Sequence, residues 1–144
     1  MAGRRTLVIS SIVWGLSGAI QTGLAQSPVF DEAMMTAAEL SNFERTSTFA
    51  EVIAVVDALD QQTDLMHRER LLLTREGRDV PVIVLADPPV RSPEQAAASG
   101  KPVIYIQGNI HGGEVEGKEA SLIIMRDILF GDKKHLLDNQ ILLF

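Results

Sequence analysis

The sequence contains no cysteine. That excludes disulfides, cysteine-ligated zinc, iron–sulfur clusters and a thiol nucleophile. Histidine is scarce as well, with 3 in 144 residues, so a metal would have to be held by His67, His111 or His135 together with Asp or Glu. Basic residues are outnumbered, 13 Lys and Arg against 19 Asp and Glu, for a formal net charge of −6. A chain with that balance lacks the basic face that duplex nucleic acid requires, and no nucleic-acid partner is expected. An apolar run long enough for a membrane span of ~20 residues is also missing. Absent too are the H-E-x-x-H and H-x-x-E-H metal motifs and the phosphate-binding loop, since Ser99-Gly100-Lys101 lacks the necessary spacing. What is present is ordinary for one packed domain: 46% hydrophobic and 22% charged residues.

Residues 1–25 read as a secretory signal peptide. Arg4 and Arg5 form a basic start, Thr6 to Ile20 is apolar and small, and Gly23-Leu24-Ala25 supplies the small residues of a cleavage site. An uncleaved anchor and a twin-arginine signal are the other readings of the same stretch. Cleavage leaves residues 26–144 as an exported chain, periplasmic or secreted, with no stable membrane insertion expected. Without disulfides, its stability rests on its core or a metal.

The mature chain alternates strand and helix signals. Met34–Leu40 suggests a short helix. Thr48-Phe49-Ala50-Glu51 is a capping box, and Phe49, Val52, Ile53, Val56 and Leu59 follow at helical spacing, so a helix is expected from Thr48 to Leu59. Leu65–Arg75 and Val80–Leu85, joined at Glu76-Gly77-Arg78-Asp79, read as a β-hairpin, with Pro81 near the start of its second strand. Asp87–Lys101 reads as a surface loop. Pro102–Ile106 is a continuous apolar run, expected to be a strand buried on both faces with Tyr105 in the core. Gly117–Phe130 reads as a well-buried helix stopped by Gly131, and Ile141–Phe144 as a further buried strand. A buried strand at the very end is an unusual finish, and leads to the expectation that the chain is the N-terminal part of a longer protein.

One segment carries chemistry. Gly108-Asn109-Ile110-His111-Gly112-Gly113-Glu114 follows the apolar strand and opens a helix, the place where ligands bind in α/β folds. His111 offers an imidazole. Glu114, three residues on, offers a carboxylate on the same side of the chain. Two such groups suit adjacent corners of a tetrahedral zinc site, and Gly112 and Gly113 permit a tight or positive-φ turn with room for an ion. The plainer reading is that Glu114, Glu116 and Glu119 only complement the positive end of the helix dipole. His67 and His135 read as solvent-facing.

The run Gln107 to Ala120, set between a strand and a helix, resembles the zinc carboxypeptidase family, the carboxypeptidase A-like metallopeptidases. The similarity extends more loosely over Phe43–Phe144, through Arg45-Thr46, the Phe49–Leu59 helix and the hairpin at Gly77-Arg78. The resemblance implies an α/β fold, a mixed β-sheet with flanking helices, incomplete at the C-terminus. It implies one Zn2+ ion with His111 and Glu114 as two of its three protein ligands. No general base or catalytic residue is identified in the chain; the family's base, its third ligand and its carboxylate-binding Arg and Tyr are expected beyond Phe144. Gly113 stands where digestive carboxypeptidases carry Arg, which argues against their specificity. Lys118 and Glu119 belong to the wider motif and are expected on a solvated helix face.

The implied activity is zinc-dependent hydrolysis of peptide bonds near a free C-terminus, with a peptide or protein as substrate and little activity from these 144 residues alone. Two alternatives remain. Deacylases resembling succinylglutamate desuccinylase and aspartoacylase use a similar Gly-x-His-Gly-x-Glu segment on N-acyl amino acids; a non-catalytic binding module is the other.

Overall fold

Thr48 begins the main body of the fold as the sequence requires. Its hydroxyl accepts from the Glu51 amide, and the Glu51 carboxylate reaches back to the Thr48 amide at 2.8 Å. This reciprocal pair satisfies donors that the first helical turn leaves free. The computed structural model describes residues 28–144; the expected signal peptide lies outside the described residues. A 3-10 turn, Glu32–Met34, precedes α1, Ala37–Leu40, which carries a second capping box between Thr36 and Glu39. Helix α2 spans Phe49–Asp60, and the hairpin strands β1 and β2 span Met66–Leu73 and Asp79–Leu85. Helix α3 is Pro93–Ser99, β3 is Val103–Tyr105, α4 is Val115–Phe130 and β4 is Ile141–Leu143, with a 3-10 turn at Lys134–Leu137 between the last two.

The four strands form one mixed sheet in the order β1-β2-β4-β3. β1 and β2 pair antiparallel, with a register shift between Arg70 and Leu72. β4 lies antiparallel to β2, placing Leu85 opposite Leu142, and parallel to β3, placing Ile104 opposite Leu142. β3, α4 and β4 therefore make a parallel crossover unit, whose connection is a helix as parallel pairing demands. The last strand is interior to the sheet, flanked on both sides. The fold class is the α/β arrangement expected from the sequence.

Strand alternation divides the core. Ile83, Leu85 and Leu142 point to the face covered by Val55, Val56 and Leu59 of α2 and by Leu122, Met125, Ile128 and Leu129 of α4. Their neighbours Val84 and Ile141 point the other way, to a smaller cluster with Ala86, Val90 and Ala96. Leu59, Leu85 and Leu137 are fully buried. Burial of each such side chain stabilises the fold by about 1.5–3 kcal/mol.

Three expectations are corrected here. The Asp87–Lys101 stretch is not a plain loop. It holds α3, capped by Ser92, opened by Pro93 at its first turn and closed by Gly100 at φ 68°. The flanking prolines make the stretch look like a loop, although Pro belongs at a helix start and Gly just past a helix end. Secondly, β3 is not buried on both faces. Val103, Ile104 and Tyr105 are 49%, 41% and 56% exposed, because β4 inserts between β2 and β3 and leaves β3 at the edge. Tyr105 is correspondingly not core; its hydroxyl donates to Gln107 at 3.0 Å. Thirdly, His67 is not fully solvated. Its side chain is 22% exposed, it pairs with Glu69 at 2.9 Å, and it lines an apolar groove with Leu71, Val82 and Val84.

Candidate metal centre

Strand β3 delivers the chain to a turn over the N-terminus of α4. Asn109, at φ 56°, supplies the turn's positive-φ residue, so that conformation falls on neither Gly112 nor Gly113. Asn adopts it more readily than most residues because its side chain can hydrogen-bond locally. The glycine that the geometry requires is Gly108. A Cβ there would lie 2.8 Å from the carbonyl carbon and oxygen of Gly117, inside the first turn of α4. The reverse approach is also close, since a Cβ on Gly117 would lie 3.2 Å from the Gly108 Cα. Two glycines facing each other let the turn rest directly on the helix backbone. By contrast, none of the described residues comes within 4 Å of a Cβ built on Gly112 or Gly113.

The turn closes through the Glu114 amide, which donates to the His111 carbonyl at 3.0 Å. Glu114 is the N-cap residue of α4. Its side chain turns back, with Oε1 2.6 Å from His111 Nδ1 and Oε2 accepting from the His111 amide at 3.2 Å. The side chains of His111 and Glu114 are 78% and 50% exposed. Hydrogen bonding to the His111 ring, and then to its amide, holds the Glu114 carboxyl below the ordinary carboxylate range. An ionised carboxylate is the form in which Glu could ligate a metal.

The pair fits a zinc ion as two corners of a site. One nitrogen and one oxygen donor converge on the same solvent-open spot at the carboxyl end of β3. Zinc bonds of about 2.0–2.2 Å set tetrahedral donors roughly 3.4 Å apart, a modest parting for two exposed side chains. The other histidines do not join them: His135 is exposed, as expected, with Nδ1 3.2 Å from the Asp132 carbonyl oxygen, and His67 belongs to β1. Among the described residues no group of three or more His, Asp or Glu comes together to hold an ion.

Glu119 is not on a solvated face. It is 7% exposed, and its Oε1 accepts from the Thr46 hydroxyl at 2.7 Å and the Ser47 amide at 2.6 Å. Oε2 accepts from the Ser47 hydroxyl at 2.9 Å. Lys118 packs beside it, 3.4 Å from Glu119 Oε1 and donating to the Thr46 hydroxyl. Its side chain is only 19% exposed. The donors to Glu119 lie 72 and 73 positions earlier, beyond the reach of any local pattern.

A mixed α/β sheet thus carries a His-x-x-Glu turn at the exit of a parallel strand, at the start of a helix. The zinc carboxypeptidase family model matches residues 52–143, well over half of the chain and including this turn. The chain belongs to that family. No curated protein and no solved structure matches it.

Proposed function

We propose that this chain supplies two zinc ligands, His111 and Glu114, to a metallocarboxypeptidase that hydrolyses peptide bonds near a free C-terminus. The observation that carries the reading is the 2.6 Å approach of His111 Nδ1 to Glu114 Oε1 in the open at the end of β3. When bound there, zinc supplies a Lewis acid for the scissile carbonyl and lowers the pKa of water. His111 contributes a neutral donor and Glu114 an anionic one, so the pair leaves part of the ion's charge uncompensated. The Gly112-Gly113 stretch presents no side chain to obstruct a substrate at that point. The reading requires a carboxylate general base and a third ligand, and the described residues bring no third ligand to the pair. An exported chain acting on peptides accords with the signal-like residues 1–25. Family membership favours peptide substrates over N-acyl amino acids.

Titration of the chain with zinc against a chromophoric chelator tests the ligand assignment. His111→Ala and Glu114→Ala are each expected to abolish the weak binding of the native chain with no change in far-UV circular dichroism. Undiminished binding by both variants would end the assignment. For the complete enzyme, chelator-sensitive release of C-terminal residues supports the peptidase, and release of acyl groups from N-acyl amino acids supports the deacylase.

A further inference from the structure

Glu119 is a buried acid to which the proposed function assigns no part in hydrolysis. Removing a carboxylate from water is costly unless it is hydrogen-bonded, and Glu119 is bonded three times over, to Thr46 once and Ser47 twice. We propose that Glu119 is a positioning residue for the metal-binding turn: it clamps the first turns of α4 to Thr46 and Ser47, and thereby sets where His111 and Glu114 point. This inference rests on the reading of His111 and Glu114 as zinc ligands.

Three relationships make the clamp effective. Ser47 is itself fixed, since its hydroxyl also accepts from the Ala37 amide at 3.1 Å and the next residue, Thr48, caps α2. Glu119 therefore ties α4 to the junction of α1 and α2 rather than to a loose loop. The metal-binding turn leans on the same stretch of α4, because Gly108 meets Gly117 backbone to backbone. Finally, Glu114 is the N-cap of α4, and among the described residues the side chains of His111 and Glu114 make their polar contacts within the turn. With so few outside supports, their direction is inherited from the backbone that α4 begins. Orientation by supporting groups commonly governs metal affinity by 10–100-fold.

The test is zinc affinity of the full chain, read by chelator competition below each variant's unfolding midpoint. Glu119→Ala is expected to lose affinity roughly tenfold or more. Glu119→Gln retains an oxygen for the Ser47 amide and is expected to recover most of it. Thr46→Val removes one donor at the exposed rim without emptying the core, and is expected to give a smaller loss; it decides the matter if Glu119→Ala does not fold. A merely structural Glu119 predicts lowered unfolding midpoints with unchanged affinity in the folded variants. That result, with binding still lost in His111→Ala, would overturn the clamp while leaving the ligand assignment intact. Retained binding in His111→Ala would overturn both.

Discussion

Arg126 grips Glu39 through both arms of its guanidinium, each nitrogen 2.8 Å from a carboxylate oxygen. Glu39 is already the reciprocal partner in the capping box of α1, so one carboxylate both starts a helix and docks it on α4. Arg126 also donates to the Met34 carbonyl and lies 4.3 Å from the Phe30 ring centroid. Two turns earlier on α4, Glu119 reaches Thr46 and Ser47. The lead-in from Phe30 to Ser47 is thus attached to α4 at two points by buried polar contacts. This gives α4 two tasks, roofing the sheet with its apolar side and holding the entry segment with its polar one.

Removing one half of the Arg126–Glu39 pair strands the other. The side chains are 5% and 15% exposed, so Glu39→Met leaves a nearly buried cation with only the more distant Asp127 carboxylate, 3.6 Å away, and is expected to destabilise the chain by about 3 kcal/mol. The double change Glu39→Met with Arg126→Met should restore much of that loss, because burying both charges is itself costly and Arg126 Nε already has no hydrogen-bond partner among the described residues. Urea unfolding of Glu39→Met, Arg126→Met and the double variant measures the coupling. Losses that simply add would show that the pair contributes nothing as a pair.

Acid should loosen these attachments. Glu51 is held down from an ordinary 4.5 to about 2 by the Thr48 amide, then the Thr48 hydroxyl and Arg45. Burial works to raise Glu39 and Glu119, but hydrogen bonds from Arg126 and Thr36 onto the first, and from Thr46 and Ser47 onto the second, leave both lowered. A carboxyl whose folded pKa lies below its unfolded value binds more protons when unfolded. Its contribution is present above the unfolded pKa and disappears as pH falls through the folded one. Stability is therefore expected to be level near neutrality and to decline from about pH 4.5 toward about pH 2. Thermal unfolding across that range checks it, and a midpoint indifferent to acid would contradict the role of these three groups.

Local signals made much of the fold legible before any coordinates. The Thr48–Glu51 box, the Gly77 turn between two apolar runs, and the strand–glycine–helix order around His111 each depend on residues a few positions apart. What stayed hidden depends on distance. The burial of Glu119 is fixed by donors at Thr46 and Ser47, and no periodicity in α4 announces them. The exposure of Val103–Tyr105 follows from β4 entering the sheet between β2 and β3, and an apolar run reads the same at an edge as in the middle. Helix α3 is a different case: Ser92, Pro93 and Gly100 are sound start and stop signals, obscured by the prolines around them. At the site, the sequence pointed to Gly112 and Gly113 for room, whereas the indispensable contact is made by Gly108.

Gly108 and Gly112 should consequently respond differently to the same change. Gly108→Ala forces a methyl to within 2.8 Å of the Gly117 backbone, where no side chain can swing aside. The turn or the start of α4 must move, at an expected cost of about 1–3 kcal/mol, and zinc affinity should fall with it. Gly112→Ala meets none of the described residues within 4 Å and is expected to be close to neutral in stability. Unfolding and zinc titration of the two variants side by side make the comparison. Equal effects would mean that the turn is not seated on Gly117.

Hydrolysis by these 144 residues is expected to be negligible even with zinc in excess. Catalytic zinc is held by three protein ligands with a fourth position open to water or substrate. On the proposed assignment His111 and Glu114 would provide two, and no third metal-binding side chain joins them among the described residues. An ion held by two exposed groups exchanges readily with water and with any competing chelator. The reading assigns no described carboxylate the task of taking a proton from attacking water and returning it to the leaving amine, a step worth typically 10²–10⁴ in rate. Incubating the chain with a C-terminally blocked peptide and its free-acid counterpart, with and without chelator, measures this directly. Chelator-sensitive loss of the C-terminal residue from the free acid alone would show that two ligands suffice, and would overturn the requirement for a third.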